Sequence, residues 1–211
     1  MPLCFDLDGT LGSFGGGYLL LRESLAALWG APVERAELEA CAGSTDWEIV
    51  DELHRARFGR ALDEGAYAAF EADCLARFQA AFHPAGRSPL PHVGLIEGLG
   101  ILLGRGHDLW LVSGNTPAVL DFKAEALGLD PRIRRLGSLP GHDRAGLIRR
   151  ALAQGPAPHL YAGDRPHDRD AARAAGVPFL AVGDAAPGDH PVLPPHAEAE
   201  ALVAAVEALI T

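Results

Sequence analysis

Residues 2–13 read PLCFDLDGTLGS, a short apolar run that ends in two aspartates one residue apart. Segment 3–5 has the apolar character of a β-strand, and carboxylates at the buried end of such a strand cost free energy unless a partner stabilises them. The pair Asp8-Gly9 is also a strong signal for a two-residue hairpin, so one interpretation is a simple turn between two strands. The other interpretation is that Asp6 and Asp8 belong to a functional site.

Length and composition are those of an ordinary globular protein. With 211 residues, 48% of them hydrophobic, the chain can bury the core of one large domain, or of a domain with a modest insertion. The net charge of -10 disfavours nucleic acid and anionic membranes as partners, since both attract clustered Lys and Arg. Cys4, Cys41 and Cys74 are odd in number and far apart, which is typical of reduced thiols in an intracellular protein. We therefore expect a cytoplasmic protein that binds neither nucleic acid nor membrane, and the sequence leaves its oligomeric state open.

Beyond residue 92, strand and helix patterns alternate along the chain. The apolar runs predict strands at 108–112, 159–162 and 179–182, with a short segment at 133–136. Helical patterns are predicted at 98–105, 116–127, 144–153, 168–175 and 197–210, and a surface loop is predicted at 183–195. Such alternation indicates an α/β fold, a Rossmann-like, doubly wound parallel sheet covered by helices on both faces.

A long helical segment interrupts this pattern after the first strand. Apolar residues recur at three- and four-residue spacing over 18–82. Three glycines at 15–17 precede the segment, and the proline-rich run 83–91 follows it. We therefore predict a core domain formed by residues 1–14 and 88–211, and an inserted α-helical cap domain formed by residues 15–87.

Polar residues follow three of the predicted strands, at the edge of the sheet where ligands bind in open α/β folds. The first strand ends in DLDGT at 6–10, another in SGNT at 113–116, and a third in GDRPHD at 163–168. Each stretch has a simpler interpretation: 113–117 can begin a helix with a cap and Pro117 in its first turn, and 164–168 can be a turn before a capped helix. Helix caps do not require acids at several strand ends at once, so the convergence favours a site.

Phosphoryl transfer is the chemistry that suits these residues. Asp6, Asp8 and Asp164 would concentrate negative charge, and carboxylates a few ångströms apart raise one another's pKa unless a cation is present. Mg²⁺ binds through carboxylates, phosphate oxygens and water, whereas zinc would require His or Cys ligands. The sequence therefore predicts Mg²⁺ as the cofactor and a small phosphorylated metabolite as the partner.

The ordered motifs resemble those of the haloacid dehalogenase-like (HAD) hydrolase superfamily, in the branch with a helical (C1-type) cap after the first strand, close to phosphoglycolate-phosphatase-like proteins. The first motif of that superfamily, DxDGT, is similar to residues 6–10. Its second, a Ser or Thr that ends a strand, matches Ser113, and its fourth, GDxxxD, matches Asp164 and Asp168. The resemblance covers nearly the whole chain.

The resemblance implies a role for each acid of these motifs. Asp6 would be the nucleophile that forms an aspartyl-phosphate, and Asp8 the general acid and then the general base. Residues i and i+2 of a strand face the same way, so both carboxylates can reach one phosphorus atom. Asp6, the Asp8 backbone carbonyl and Asp164 would hold Mg²⁺, with Asp168 and Thr10 in support.

The remaining site residues follow from the same resemblance. Ser113, Gly114 and Asn115 would bind the phosphoryl oxygens. The third motif of the superfamily is a lysine, but residues 141–152 contain none. Arg144 is the preferred candidate for that role and Lys123 the alternative. The simpler interpretations are that Lys123 is an ordinary solvent-facing position of its helix and that neither residue reaches the site.

The inserted segment carries a stretch with two interpretations. Residues 42–50, AGSTDWEIV, resemble the GxTD segment of phosphoglycolate-phosphatase-like caps, so Ser44, Thr45 and Asp46 would select the substrate. The alternative is that Thr45 or Asp46 caps a helix.

Competing functions differ in the residues they need. A dehalogenase would need neither a second acid nor magnesium, and a phosphonate hydrolase would need a cap lysine that 18–82 lacks. A receiver-type signalling domain would have neither the inserted segment nor DxDGT. The predicted function is a Mg²⁺-dependent phosphatase acting on a small phosphomonoester. A sugar-phosphate mutase of the same fold and a catalytically silent binding protein remain as alternatives.

Overall fold

A six-stranded parallel sheet forms the centre of the molecule. In the computed structural model, residues 2–83, 86–157 and 159–211 are described. Their strands are β1 (Pro2–Phe5), β2 (Gly12–Ser13), β3 (Leu90–Pro91), β4 (Asp108–Val112), β5 (Arg134–Leu136), β6 (Leu160–Gly163), β7 (Phe179–Val182) and β8 (Val192–Leu193). The sheet order is β5-β4-β1-β6-β7-β8 with every pairing parallel, and β2 and β3 form a separate antiparallel pair.

Helices cover both faces of this sheet. Those in the described residues are α1 (Gly17–Trp29), α2 (Arg35–Glu39), α3 (Asp46–Phe58), α4 (Glu64–Ala81), α5 (Val93–Gly104), α6 (Pro117–Ala126), α7 (Arg144–Leu152), α8 (Pro166–Ala175) and α9 (Ala199–Ile210). Successive residues of a strand face opposite ways, so Leu3 and Phe5 pack in one apolar cluster with α5, α6 and α9, while Cys4 packs in another with α7 and α8. This confirms the predicted doubly wound α/β fold.

Helices α1 to α4 lie between β2 and β3, in the part of the chain where the sequence predicts a helical insertion. Residues 84 and 85 of the predicted proline-rich boundary lie outside the described residues, as do residue 1 and residue 158 of the predicted core domain. Among the described residues, no helix has both the length and the apolar character that crossing a membrane requires.

Two sequence predictions of local structure agree with the structure only in part. Helix α5 begins at Val93 and not near residue 98. Gly94 and Gly98 do not interrupt this helix, because their missing side chains allow close contact with the segment that begins α9. The predicted loop at 183–195 contains β8, where the Gly183 N–H donates to the Leu193 carbonyl and extends the sheet by an edge strand.

The contact between α5 and α9 gives a test of this packing. A Cβ at Gly94 would lie 2.2 Å from the Ala197 carbonyl oxygen, a backbone atom that cannot move aside easily. We expect Gly94→Ala to lower the free energy of unfolding by about 1–3 kcal/mol, measured by urea denaturation. Gly100 lies in the same helix, and a Cβ there would meet no neighbouring atom within 4 Å, so Gly100→Ala is expected to stabilise by about 0.5–1 kcal/mol. Equal effects of the two substitutions would contradict the close contact.

Candidate active site

The carboxyl ends of three adjacent strands bring the predicted site residues together. Strand β1 lies between β4 and β6, so the residues that follow these strands, Asp6, Ser113 and Asp164, meet at one edge. One carboxylate oxygen from each of Asp6, Asp164 and Asp168 lies within 4.8 Å of the others. A cavity of about 850 Å³ opens there, between the sheet edge and the inserted helices.

The residues after β1 form a turn as well as a site. The Gly9 N–H donates to the Gly12 carbonyl over 2.8 Å, and the chain then enters β2. Because β2 pairs with β3 and not with β1, the predicted simple hairpin is absent among the described residues. Gly9 has a φ of 83°, and a Cβ there would lie 2.1 Å from Asp164 Oδ2. The turn therefore needs glycine both for its backbone conformation and for the approach to Asp164.

Asp6 is almost completely buried, with 4% of its surface exposed. Burial raises the pKa of its carboxyl to about 8, and the nearby Asp168 carboxylate acts in the same direction. Arg144 opposes this rise, because its Nη1 lies 3.1 Å from Asp6 Oδ1. A carboxyl in these surroundings holds its proton to higher pH than usual unless more positive charge is added.

Arg144 is the first residue of α7, a helix capped by the Asp143 side chain, which accepts from the Gly146 N–H. Its buried guanidinium has Nη1 2.9 Å from Asp168 Oδ1 and donates to the Tyr161 hydroxyl over 3.2 Å. Burial alone lowers the pKa of Arg144, but Asp168, Tyr161 and Asp6 raise it well above its ordinary value. Arg144 is therefore a permanent cation between two acids of the site.

Lys123, the alternative candidate, also reaches the site. Its side chain is only 3% exposed, and its Nζ lies 2.6 Å from Asp8 Oδ2 and 2.8 Å from Asn115 Oδ1. Asn115 Nδ2 in turn donates to Asp8 Oδ2 over 2.7 Å and to Ser113 Oγ over 2.8 Å. The structure thus places both candidate cations in the site, each beside a different acid of the first motif.

The stretch after β4 serves as a helix start and as part of the site. Pro117 is in the first turn of α6, as the simpler interpretation predicts, but the Thr116 side chain makes no capping hydrogen bond. Two acids of the inserted segment accept hydrogen bonds here instead: Glu71 Oε1 from the Ala118 N–H over 3.1 Å, and Asp46 Oδ2 from the Thr116 N–H over 2.8 Å. A Cβ at Gly114 would lie 2.5 Å from the Ser44 carbonyl oxygen, so the inserted segment packs directly on this loop.

Residues 44–46 divide between the two interpretations of their sequence. The Thr45 side chain caps α3 in a capping box with Glu48, as the simpler interpretation predicts. Ser44 and Asp46 line the cavity, and the Ser44 carbonyl accepts from Arg144 Nη2 over 2.8 Å. Burial raises the pKa of Asp46 to about 6, against the effect of its hydrogen bond from Thr116.

The acid cluster fits a divalent cation. Asp164 Oδ1 is buried with no hydrogen-bond partner in the described part of the chain, and burial followed by the charge of Asp168 raises the pKa of Asp164 to about 6. An unpaired buried oxygen of this kind costs free energy unless a ligand binds it. Asp168 already contacts Arg144 and accepts a hydrogen bond from the Arg165 N–H. The hydrogen bond from Arg165 is part of the capping box at the start of α8. The Thr10 hydroxyl is likewise buried without a partner among the described residues.

Sequence reasoning missed Tyr161, whose hydroxyl lies 3.1 Å from the Val112 carbonyl and 3.3 Å from Asp168 Oδ1. It missed two aromatic rings near Lys123, those of Phe14 and Phe78. Each of these residues has the spacing of an ordinary core position, so the sequence carried no signal of a polar contact. Tyr18, Arg165 and His167 also line the cavity.

Comparisons with known proteins agree with this geometry. A model of the family described as haloacid dehalogenase-like hydrolase matches residues 3–173. The chain therefore belongs to the haloacid dehalogenase-like hydrolases, which confirms the resemblance predicted from its motifs and the prediction that it is an enzyme of this family. A search of curated protein sequences found no match.

Solved structures show the same fold. A hydrolase from Pseudomonas syringae superimposes with a TM-score of 0.71 at 18% identity, covering 100% of this chain and 99% of the other. A predicted phosphatase from Clostridium acetobutylicum has a TM-score of 0.68 at 18% identity, with 99% and 98% covered. A predicted phosphoglycolate phosphatase from Haemophilus somnus has a TM-score of 0.60 at 18% identity, with 92% and 94% covered.

The raised pKa of Asp6 predicts how stability depends on pH in the presence of a chelator. Its folded-state pKa of about 8 lies above the ordinary value of 3.8, so between these values the folded protein binds more protons than the unfolded chain. The contribution of Asp6 to the free energy of unfolding therefore falls as pH rises through that window.

Asp6→Asn removes this titration. We expect the variant to gain more than about 1 kcal/mol relative to wild type between pH 4 and pH 8, measured by urea denaturation. Asp184→Asn, at an exposed aspartate, is the matched control and should follow the wild-type pH dependence. Parallel curves for wild type and Asp6→Asn would contradict the assigned environment of Asp6.

Proposed function

We propose that the protein is a Mg²⁺-dependent phosphatase that hydrolyses a small phosphomonoester through an aspartyl-phosphate on Asp6. The observation that carries the proposal is the pair Asp6 and Asp8 at the end of β1, each in contact with its own buried cation, Arg144 or Lys123. These different surroundings support a role for Asp6 in bonding to phosphorus and a role for Asp8 in exchanging a proton.

Asp6 and Asp8 share the two chemical steps. An Asp6 oxygen attacks phosphorus as the bond to the leaving oxygen breaks, and Asp8 gives that oxygen its proton. Asp8 then takes a proton from the water that attacks the aspartyl-phosphate, and Asp6 is released as inorganic phosphate forms. Arg144 favours the ionised form of Asp6 that the first step requires.

The phosphoryl oxygens are bound by hydrogen-bond donors at the end of β4. We assign this role to the Ser113 hydroxyl and the Gly114 backbone, with Arg144 adding positive charge. The Asn115 amide donates to Asp8 and Ser113, so it holds these groups in place around the phosphate. Removing one such donor typically costs about 2.7–4 kcal/mol of transition-state stabilisation.

Asp6, Asp164 and the Asp8 backbone carbonyl are the groups assigned to Mg²⁺, with Asp168 in support. Their all-oxygen character and the unpaired Asp164 oxygen support this assignment. When bound, the ion would neutralise the acids and the phosphate oxygens.

Residues 15–87 are proposed to form a cap domain that selects the substrate. The cavity lies between these residues and the sheet edge, and its volume of about 850 Å³ suits a small metabolite. The free thiols Cys4, Cys41 and Cys74 support a cytoplasmic location for the enzyme.

Phosphate release from a panel of small phosphomonoesters tests the proposal. We expect turnover with Mg²⁺, no turnover with chelator, and a loss of at least about 10³-fold in Asp6→Asn because the nucleophile is gone. Asp184→Asn, an exposed aspartate far along the chain, is the control and should retain wild-type turnover. An isomerised product without phosphate release would indicate a mutase, and a folded, magnesium-binding protein that turns over no ester would indicate a silent binding protein.

The cap residues generate a separate prediction. Ser44→Ala and Asp46→Asn, with Thr45 left to cap α3, are expected to change the order of preference among the esters by about tenfold in relative kcat/KM. Glu64→Gln, an exposed change in the first turn of α4, serves as control. An unchanged substrate profile in both cavity variants would remove these residues from substrate selection.

A further inference from the structure

Lys123 is the single lysine of a chain that has 18 Lys and Arg residues together. It lies in α6, and its side chain is almost completely buried. Buried charges are rare in proteins unless they are paired and hydrogen-bonded. The contacts of this one ammonium group therefore indicate what it does.

The ammonium group of Lys123 has two hydrogen-bond acceptors and two aromatic neighbours. Nζ donates to Asp8 Oδ2 over 2.6 Å and to Asn115 Oδ1 over 2.8 Å. It also lies 5.3 Å from the ring centre of Phe14 and 4.6 Å from that of Phe78, distances at which a cation is attracted to an aromatic face. These four contacts fix the position of the charge.

The two oxygens of Asp8 have different surroundings. Oδ2 accepts from Lys123 and also from Asn115 Nδ2, over 2.7 Å. Oδ1 has no hydrogen bond to any of the described residues, and the Asp8 side chain is 31% exposed where it lines the cavity. Because two donors hold Oδ2, the carboxylate cannot rotate freely, and Oδ1 is the oxygen left for another partner.

We infer that Lys123 is a positioning residue for Asp8, holding Oδ2 so that Oδ1 exchanges the proton in both steps of the reaction. Oδ1 gives its proton to the leaving oxygen as the Asp6–phosphorus bond forms, and later takes a proton from water as that bond breaks. The inference rests on the proposed function. It assigns Lys123 a task separate from that of Arg144, which contacts Asp6 and Asp168.

Esters with different leaving groups distinguish the positioning of Asp8 by Lys123 from a merely structural role of Lys123. Expulsion of an alkoxide needs a proton from Asp8, whereas p-nitrophenolate leaves readily without one. In Lys123→Met, which keeps the length of the side chain and removes its charge, we expect kcat/KM for the best alkyl ester to fall by about 10²-fold or more. The value for p-nitrophenyl phosphate should fall far less. Since kcat/KM reports steps up to release of the leaving group, hydrolysis of the aspartyl-phosphate does not mask the difference.

A double-mutant cycle with Asp8 supplies the control. If Lys123 acts through Asp8, Lys123→Met should cause no further loss on the alkyl ester when it is added to Asp8→Asn. Lys123→Arg keeps the charge and should retain more alkyl-ester activity than Lys123→Met. Equal losses on the alkyl and aryl esters, or the same loss in the Asp8→Asn background as in wild type, would overturn the inference.

The single lysine also permits a measurement that needs no turnover. Labelling with ¹⁵N-lysine gives one side-chain ammonium signal, and the buried contact predicts slow exchange with water. We expect Asp8→Asn to shift this signal and speed its exchange, while Asp184→Asn leaves it unchanged. A freely exchanging wild-type signal would overturn the contact itself. Failure of wild type to hydrolyse any ester, with the protected signal present, would overturn the phosphatase proposal instead.

Discussion

Mutual repulsion of acids at one sheet edge is the constraint on which the rest of the structure depends. Four aspartates, Asp6, Asp8, Asp164 and Asp168, follow β1 and β6, and two of them are almost completely buried. Carboxylates in such surroundings either hold protons or need cations nearby. The fold supplies Arg144 from α7 and Lys123 from α6, so helices on opposite faces of the sheet each contribute one positive charge to the same edge. Loss of one partner from a buried ion pair costs about 3–5 kcal/mol.

The same charges connect the inserted helices to the sheet. Arg144 contacts Asp6 with one nitrogen and the Ser44 carbonyl with another. Asp46 accepts from the Thr116 N–H and donates its own N–H to the Gly114 carbonyl over 2.7 Å. A rearrangement of segment 44–46 therefore removes hydrogen bonds from the loop after β4 and from the cation beside Asp6. The position of this segment and the electrostatic surroundings of the acids are linked through these contacts.

The sequence could predict the sheet because parallel strands buried on both faces leave continuous apolar runs, as at 109–112 and 179–182. It could not predict where α5 begins, because glycines such as Gly94 and Gly98 weaken a helical pattern. In the structure these glycines allow close contact with the start of α9, about 100 residues later in the chain. It also left Arg144 and Lys123 as rivals for one role. Only the fold shows that their side chains approach the edge from opposite faces and meet different acids.

The two cations are not interchangeable, and their surroundings explain why. Arg144 contacts four acceptors, which are Asp6, Asp168, the Tyr161 hydroxyl and the Ser44 carbonyl, and a planar guanidinium offers five donors to them. The Lys123 ammonium lies close to the rings of Phe14 and Phe78 with its two acceptors, a setting that suits a compact charge on a flexible stem. An ammonium at position 144 would have only three donors for these four acceptors. The single lysine therefore lies where the site requires a point charge, and arginine lies where it requires a branched one.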